Sequence, residues 1–298
     1  MSRCWRSCSF PLASFACLAL ACGTGDDASS AGDTASETAS ETMDSAHDGG
    51  GSQDGSTTNG DGDGDAEVGD GDGDGDGDLC AGLLPITVRD VRANHPDFEN
   101  GGSGLTLGIV ESELGLDGKP VYAANAAPWP GATSGPQIFA QWYNDVPDLN
   151  FTIPLYLQLD EVEPGFWRYD SDFFFPIDNI DWPGYEEHAG HPETDGGPDV
   201  MHNFHFTTEV KLSFTYVGGE TFTFRGDDDL WIFIGGHLAI DLGGTHGPIE
   251  QSADIDALAA THDWAVGDTL ALDIFHAERH TKGSRFRIET TIACFVPQ

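Results

Sequence analysis

The chain has 298 residues, with 51 Asp and Glu against 12 Lys and Arg, a formal net charge of −39. So few cations cannot neutralise a phosphate backbone, which excludes nucleic-acid binding. Residues 23–79 hold 17 of the acids and no Lys or Arg, leaving a net −24 on residues 80–298. An acidic surface suits cation binding in a calcium-rich exterior, and it also keeps an exported protein soluble.

The amino terminus predicts an export signal over residues 1–21. Arg3 and Arg6 supply the positive start, and Phe10 to Ala21 form an apolar run far too short to span a bilayer. Ala19-Leu20-Ala21 fits ordinary signal cleavage, which would release a secreted protein. The same residues followed by Cys22 resemble a bacterial lipobox, with Ala19 where Leu is preferred. The long tether that follows favours lipidation of Cys22, and Gly23 then implies an outer-membrane, cell-surface lipoprotein held to the membrane through its lipid anchor alone.

Residues 22–79 run through Ser, Thr, Ala and Glu into Gly-Asp repeats. They bury too little apolar surface to offset ordering entropy, so the segment reads as a disordered, extended acidic tether. Its Asp-x-Asp spacing lacks the helices and position-twelve Glu of an EF-hand.

Residues 80–298 form one domain. Cys80 and Cys294 stand near its two ends, and an oxidising compartment predicts a bond between them. Such a bridge would contribute roughly 5 kcal/mol in the chain-entropy model. Strand alternation begins at Ile86–Val91; 101–136 reads as loop; 137–143 is the best short helix. Phe151, Ile153, Leu155, Leu157 and Leu159 alternate as a half-buried strand, and Pro154 argues for an edge or a bulge. Residues 176–201 are irregular and polar. Further alternation runs through 204–216, and Gly218-Gly219 predicts a hairpin into Phe222 and Phe224. Gly235-Gly236 predicts the next hairpin, a helix follows near 254–260, and strands over 270–276 and 286–292 close the chain. Many short strands with Gly turns mean an all-β sandwich or barrel with one or two short helices.

Asp227-Asp228-Asp229 sits between two strand-like runs. Three adjacent carboxylates repel one another and call for solvent, a basic neighbour such as Arg225 or Arg279, or a cation. Calcium takes six to eight oxygens, so adjacent carboxylates are an efficient start. Both can reach one ion only if the backbone leaves strand geometry, because neighbouring strand side chains point to opposite faces. No Ser or Cys nucleophile motif appears, and no two carboxylates stand out as a glycosidase pair, so no enzyme activity is expected.

The stretches His95–Glu99, Phe139–Tyr143, Asp145–Pro147, Phe174–Asp178, His202–Thr207, Phe222–Asp229, Asp241–Gly244 and Phe275–His280 resemble the fibro-slime domain. That family is a branch of the protective-antigen-type β-sandwiches that include flocculin-like lectins. The resemblance covers about residues 86–292 and implies a jelly-roll-like antiparallel sandwich serving adhesion or carbohydrate binding. It further implies calcium held by Asp227 and Asp228, which in the calcium-dependent lectins are joined by a cis peptide. Glu278 stands where flocculins carry an Asn ligand, and Asp229 stands where those relatives have Gly. Asp229 is kept as a further candidate ligand, and Asp241, His246 and Trp231 as candidate lining of the ligand site. The expected partner is an extracellular glycan or matrix component. The alternative is a non-catalytic structural or protein-binding matrix domain in which calcium serves stability only.

Overall fold

The computed structural model describes residues 82–99, 104–124, 133–180, 182–191, 195–197 and 199–298. The expected signal, tether, Cys22 and Cys80 lie outside them; Cys294 is in a disulfide. No helix among the described residues is long and apolar enough to cross a membrane.

The strands are β1 (Leu83–Val91), β2 (Val110–Leu114), β3 (Pro120–Tyr122), β4 (Asn150–Gln158), β5 (Asp160–Glu163), β6 (Phe166–Ser171), β7 (His188–Ala189), β8 (Met201–His202), β9 (Phe206–Thr215), β10 (Thr221–Gly226), β11 (Asp229–Ile234), β12 (His237–Leu242), β13 (Ile249–Asp254), β14 (Thr269–Glu278), β15 (Phe286–Thr290) and β16 (Val296–Pro297). Two short helices are α1 (Pro136–Phe139) and α2 (Ile255–His262). The larger sheet runs β3-β2-β12-β11-β14-β9-β1-β4, with β16 on β9. The smaller runs β13-β10-β15-β6-β5, and β7 and β8 pair separately. Every named ladder is antiparallel, and the fold is the expected jelly-roll-like sandwich.

The core follows from the two-residue period. Leu230, Ile232 and Ile234 of β11 and Ile274 of β14 face Phe222, Phe224, Phe286 and Ile288 of the smaller sheet. Trp231 and Phe233 point the other way, into a second cluster with Phe139, Trp142, Tyr143 and Phe275. A strand buried on both faces is apolar throughout, which is why β11 reads as a continuous run.

Several expectations need correction. Gly218-Gly219 is not a hairpin: β9 and β10 lie in different sheets, so the turn carries the chain across the sandwich. Both glycines have positive φ, and the Glu220 carboxylate takes the Val217 and Gly218 N–H groups, so the turn closes without strand pairing. The 101–136 region contains β2 and β3, and 160–171 forms β5 and β6, which the apolar pattern does not mark. The helix expected over 137–143 stops at Phe139; the Asn150 side-chain amide takes the Gln141 and Asn144 carbonyls instead. Gly235-Gly236 is a true hairpin, both residues having positive φ. β4 is an edge strand, in keeping with Pro154.

Trp231 fills the outer cluster against Phe139 and Trp142, and its ring N–H donates to Asp241. Trp231→Ala should lower unfolding free energy by about 3–5 kcal/mol, measured by urea denaturation.

Candidate functional site

Three chain crossings between the two sheets meet at one end of the sandwich. They are residues 227–228 (β10 to β11), 243–248 (β12 to β13) and 279–285 (β14 to β15). Together they line a cleft of about 380 Å³ whose walls include Asp227, Asp228, His246, His280, Lys282 and Arg285.

The register sets the carboxylates. The β11–β14 ladder ends with Asp229 opposite Ala277, which brings the next residues, Asp228 and Glu278, alongside each other. Asp228 leaves strand geometry with φ 58°, a left-handed conformation that Asp tolerates better than most residues. The Asp227–Asp228 peptide is not cis; among the described residues the cis bond is Thr281–Lys282.

The three aspartates are buried, at 5%, 6% and 0% exposure, so they are not a solvated loop. Each has a different partner. Asp229 accepts from Arg279 Nε at 2.6 Å and from the Gly244 N–H at 2.6 Å. Arg279 is itself buried, donates to the Asp97 carbonyl at 2.8 Å and lies 4.6 Å from the Trp142 ring centre. Asp227 accepts from the Arg285 backbone N–H and from its guanidinium at 3.2 Å. Asp228 accepts the Arg279 and His280 N–H groups at 2.7 and 3.1 Å, and its own N–H donates to the His246 carbonyl.

Glu278 is different. It is 1% exposed, and both its carboxyl oxygens are buried beside the Ser284 hydroxyl and the Asp228 carboxyl, with no backbone N–H or cation donating to them among the described residues. Burial pushes its carboxyl well above the usual range, and the Asp228 and Asp227 charges push it further. Burial likewise raises Asp228 to about 7, against the pull of Arg279. Asp227 is also raised by burial, against its bonds from Arg285. Behind Glu278 on the same face of β14, His276 is fully buried among Phe174, Phe206 and Phe286. Burial lowers it to about 3, so it is a neutral wall.

Five backbone N–H groups of the 279–285 crossing go to carboxylates. Besides the bonds to Asp228 and Asp227, the Thr281 N–H donates to Glu99 at 2.8 Å and the Gly283 N–H to Asp195 at 3.2 Å. Burial would raise Glu99, but hydrogen bonds from His205 and Thr281 outweigh it and draw the carboxyl down to about 2.

The structure therefore brings Asp227, Asp228 and Glu278 together and sends the other candidates elsewhere. Asp229 is engaged by Arg279. Trp231 is in the core, and Asp241 bonds Trp231 and the Gly108 N–H, so neither lines the cleft. His246 does line it. Lys282, Arg285 and His280 were not singled out from sequence as cleft residues; only the topology reveals them. No group of three or more His, Cys, Asp or Glu among the described residues is arranged as it stands to hold a metal ion. The donor chemistry nonetheless fits one. Four buried carboxyls meet two guanidiniums, Arg279 and Arg285, which leaves the charge of one divalent cation to be supplied.

No protein-family model matches the chain. The psiD protein of Dictyostelium discoideum is 36% identical over 219 residues, covering 70% of this chain and 41% of psiD; the chain thus spans about two fifths of that relative. A PA14 sugar-binding domain from an RTX adhesin aligns at 14% identity with a TM-score of 0.22, covering 33% of this chain and 53% of that one. A GH31 α-xylosidase from Xanthomonas citri aligns at 7% identity with a TM-score of 0.26, covering 50% and 16%.

A folded carboxyl raised above its unfolded value contributes stability below the unfolded pKa and loses it as pH rises through the folded one. For Asp228 that window runs from about pH 4 to about pH 7. In chelator, urea-melt stability should therefore fall across this window by up to about 4 kcal/mol, and Asp228→Asn should flatten the slope. Asp229→Ala, which strands the buried Arg279 charge, should cost about 3–5 kcal/mol at pH 7.

Proposed function

We propose that the chain is a calcium-dependent, carbohydrate-binding adhesion module of the fibro-slime type, displayed at the cell surface from its acidic tether. The observation that carries this is Glu278, buried with no N–H or cation donating to its carboxyl, beside Asp227 and Asp228, which line an open cleft. Calcium is a hard cation that seeks oxygen ligands, and it would replace the protons that burial otherwise forces onto these carboxyls. Asp227, Asp228 and Glu278 would hold it. The bound ion would supply a Lewis-acidic centre for sugar hydroxyls. The chain itself supplies the cleft walls, and the 279–285 crossing fixes their shape.

A second reading is a structural or protein-binding matrix domain with calcium for stability only. Its support is the depth of Glu278, which does not itself line the cleft. Calorimetric titration should show one calcium bound to the wild type, with at least tenfold weaker binding in Asp228→Asn and Glu278→Gln. A glycan array with and without chelator separates the two readings. Calcium-dependent glycan signals support the first. A calcium-raised Tm with no glycan bound under either condition supports the second.

A further inference from the structure

The cleft is cationic at its rim on a chain that is acidic almost everywhere else. Residues 80–298 carry a net −24, yet the seven residues 279–285 contain Arg279, Lys282 and Arg285 and only neutral partners between them. Arg279 is buried and committed to Asp229. Arg285 and Lys282 both line the cleft. Arg285 is half-buried, 3.2 Å from Asp227 and 3.4 Å from the exposed Asp172, a pair that solvent weakens. Lys282 is exposed and has no ion-pair partner among the described residues.

Resting on the calcium reading above, we propose that the ligand is an anionic saccharide, one that carries a carboxylate or sulfate on the ring whose hydroxyls meet the ion. With a divalent cation in place, Asp227, Asp228, Asp229 and Glu278 are offset by the ion, Arg279 and Arg285, so Lys282 is left as a net charge of about +1 facing the ligand, with Arg285 beside it. A neutral sugar would leave Lys282 without a partner and Arg285 with only Asp227 and the exposed Asp172. A uronate or sulfated sugar would bring its own counter-charge to them, through charge-assisted bonds that Arg makes in bidentate form. The net negative charge of residues 80–298 disfavours such a ligand over most of the surface, which makes the cleft both the anchor and the selectivity element.

The test uses the full chain with calcium in excess and three probes: trigalacturonate, its methyl ester and galactose 6-sulfate. The ester keeps the rings and removes the charge. The acid should bind about tenfold more tightly than the ester at 0.15 M salt, with the gap closing at 1 M. Lys282→Gln, an exposed substitution, should shrink the gap to about threefold by weakening the acid more than the ester. Galactose 6-sulfate bound more tightly than trigalacturonate would identify sulfate as the anion; the reverse order identifies carboxylate. Acid and ester binding equally, both abolished by chelator, would overturn the anionic preference and leave the calcium-lectin reading standing. Acid binding that survives chelator and Asp228→Asn, or no binding of any probe, would overturn both.

Discussion

Carboxylates can be buried side by side only if each finds a source of positive charge, and that constraint organises one whole end of this sandwich. Desolvating an ionised group costs several kcal/mol, which neutral packing cannot return. Asp229 is matched by Arg279, and Asp227 by Arg285. Asp228 has two backbone N–H groups and no side-chain cation of its own. Glu278 has neither. The arrangement is therefore complete for two carboxyls and open for two, and the open pair lies where the β11–β14 ladder ends.

The same constraint explains the crossing loop. Residues 279–285 lack the apolar side chains that would pack them, and their shape comes instead from N–H donation to Asp228, Glu99, Asp195 and Asp227. Those acceptors come from three separate parts of the chain. A loop fixed through its backbone presents Lys282, and Arg285 beside its partner Asp227, at the cleft. In this way the buried acids and the exposed bases are two sides of one device: the acids position the backbone, and the backbone positions the cations.

Much of the sandwich is legible in the chain itself. Period-two alternation marks β9, β10, β14 and β15, and the Gly235-Gly236 pair marks its hairpin because two positive-φ residues leave few other choices. Alternation does not say which sheet a strand joins. Gly218-Gly219 has the same local chemistry as Gly235-Gly236, yet it crosses between sheets because β10 finds β13 and β15 rather than β9. Strands such as β5 escape notice because all four residues are exposed and a lone Val162 among three acids gives no alternation. At the site, the Asp triplet is conspicuous and Glu278 follows from the fibro-slime resemblance. The sorting of Asp229 to Arg279, and of Trp231 to the core, is not written locally. It depends on a contact fifty residues away and on which face of a doubly buried strand meets the outer cluster.

The most direct test is an anomalous difference map from crystals of the protein grown with calcium. The account predicts one strong peak within about 2.3–2.6 Å of carboxyl oxygens from Asp227, Asp228 and Glu278, with the Arg279–Asp229 pair unchanged behind it. A map with no peak there, and Glu278 still without a cation, would contradict it.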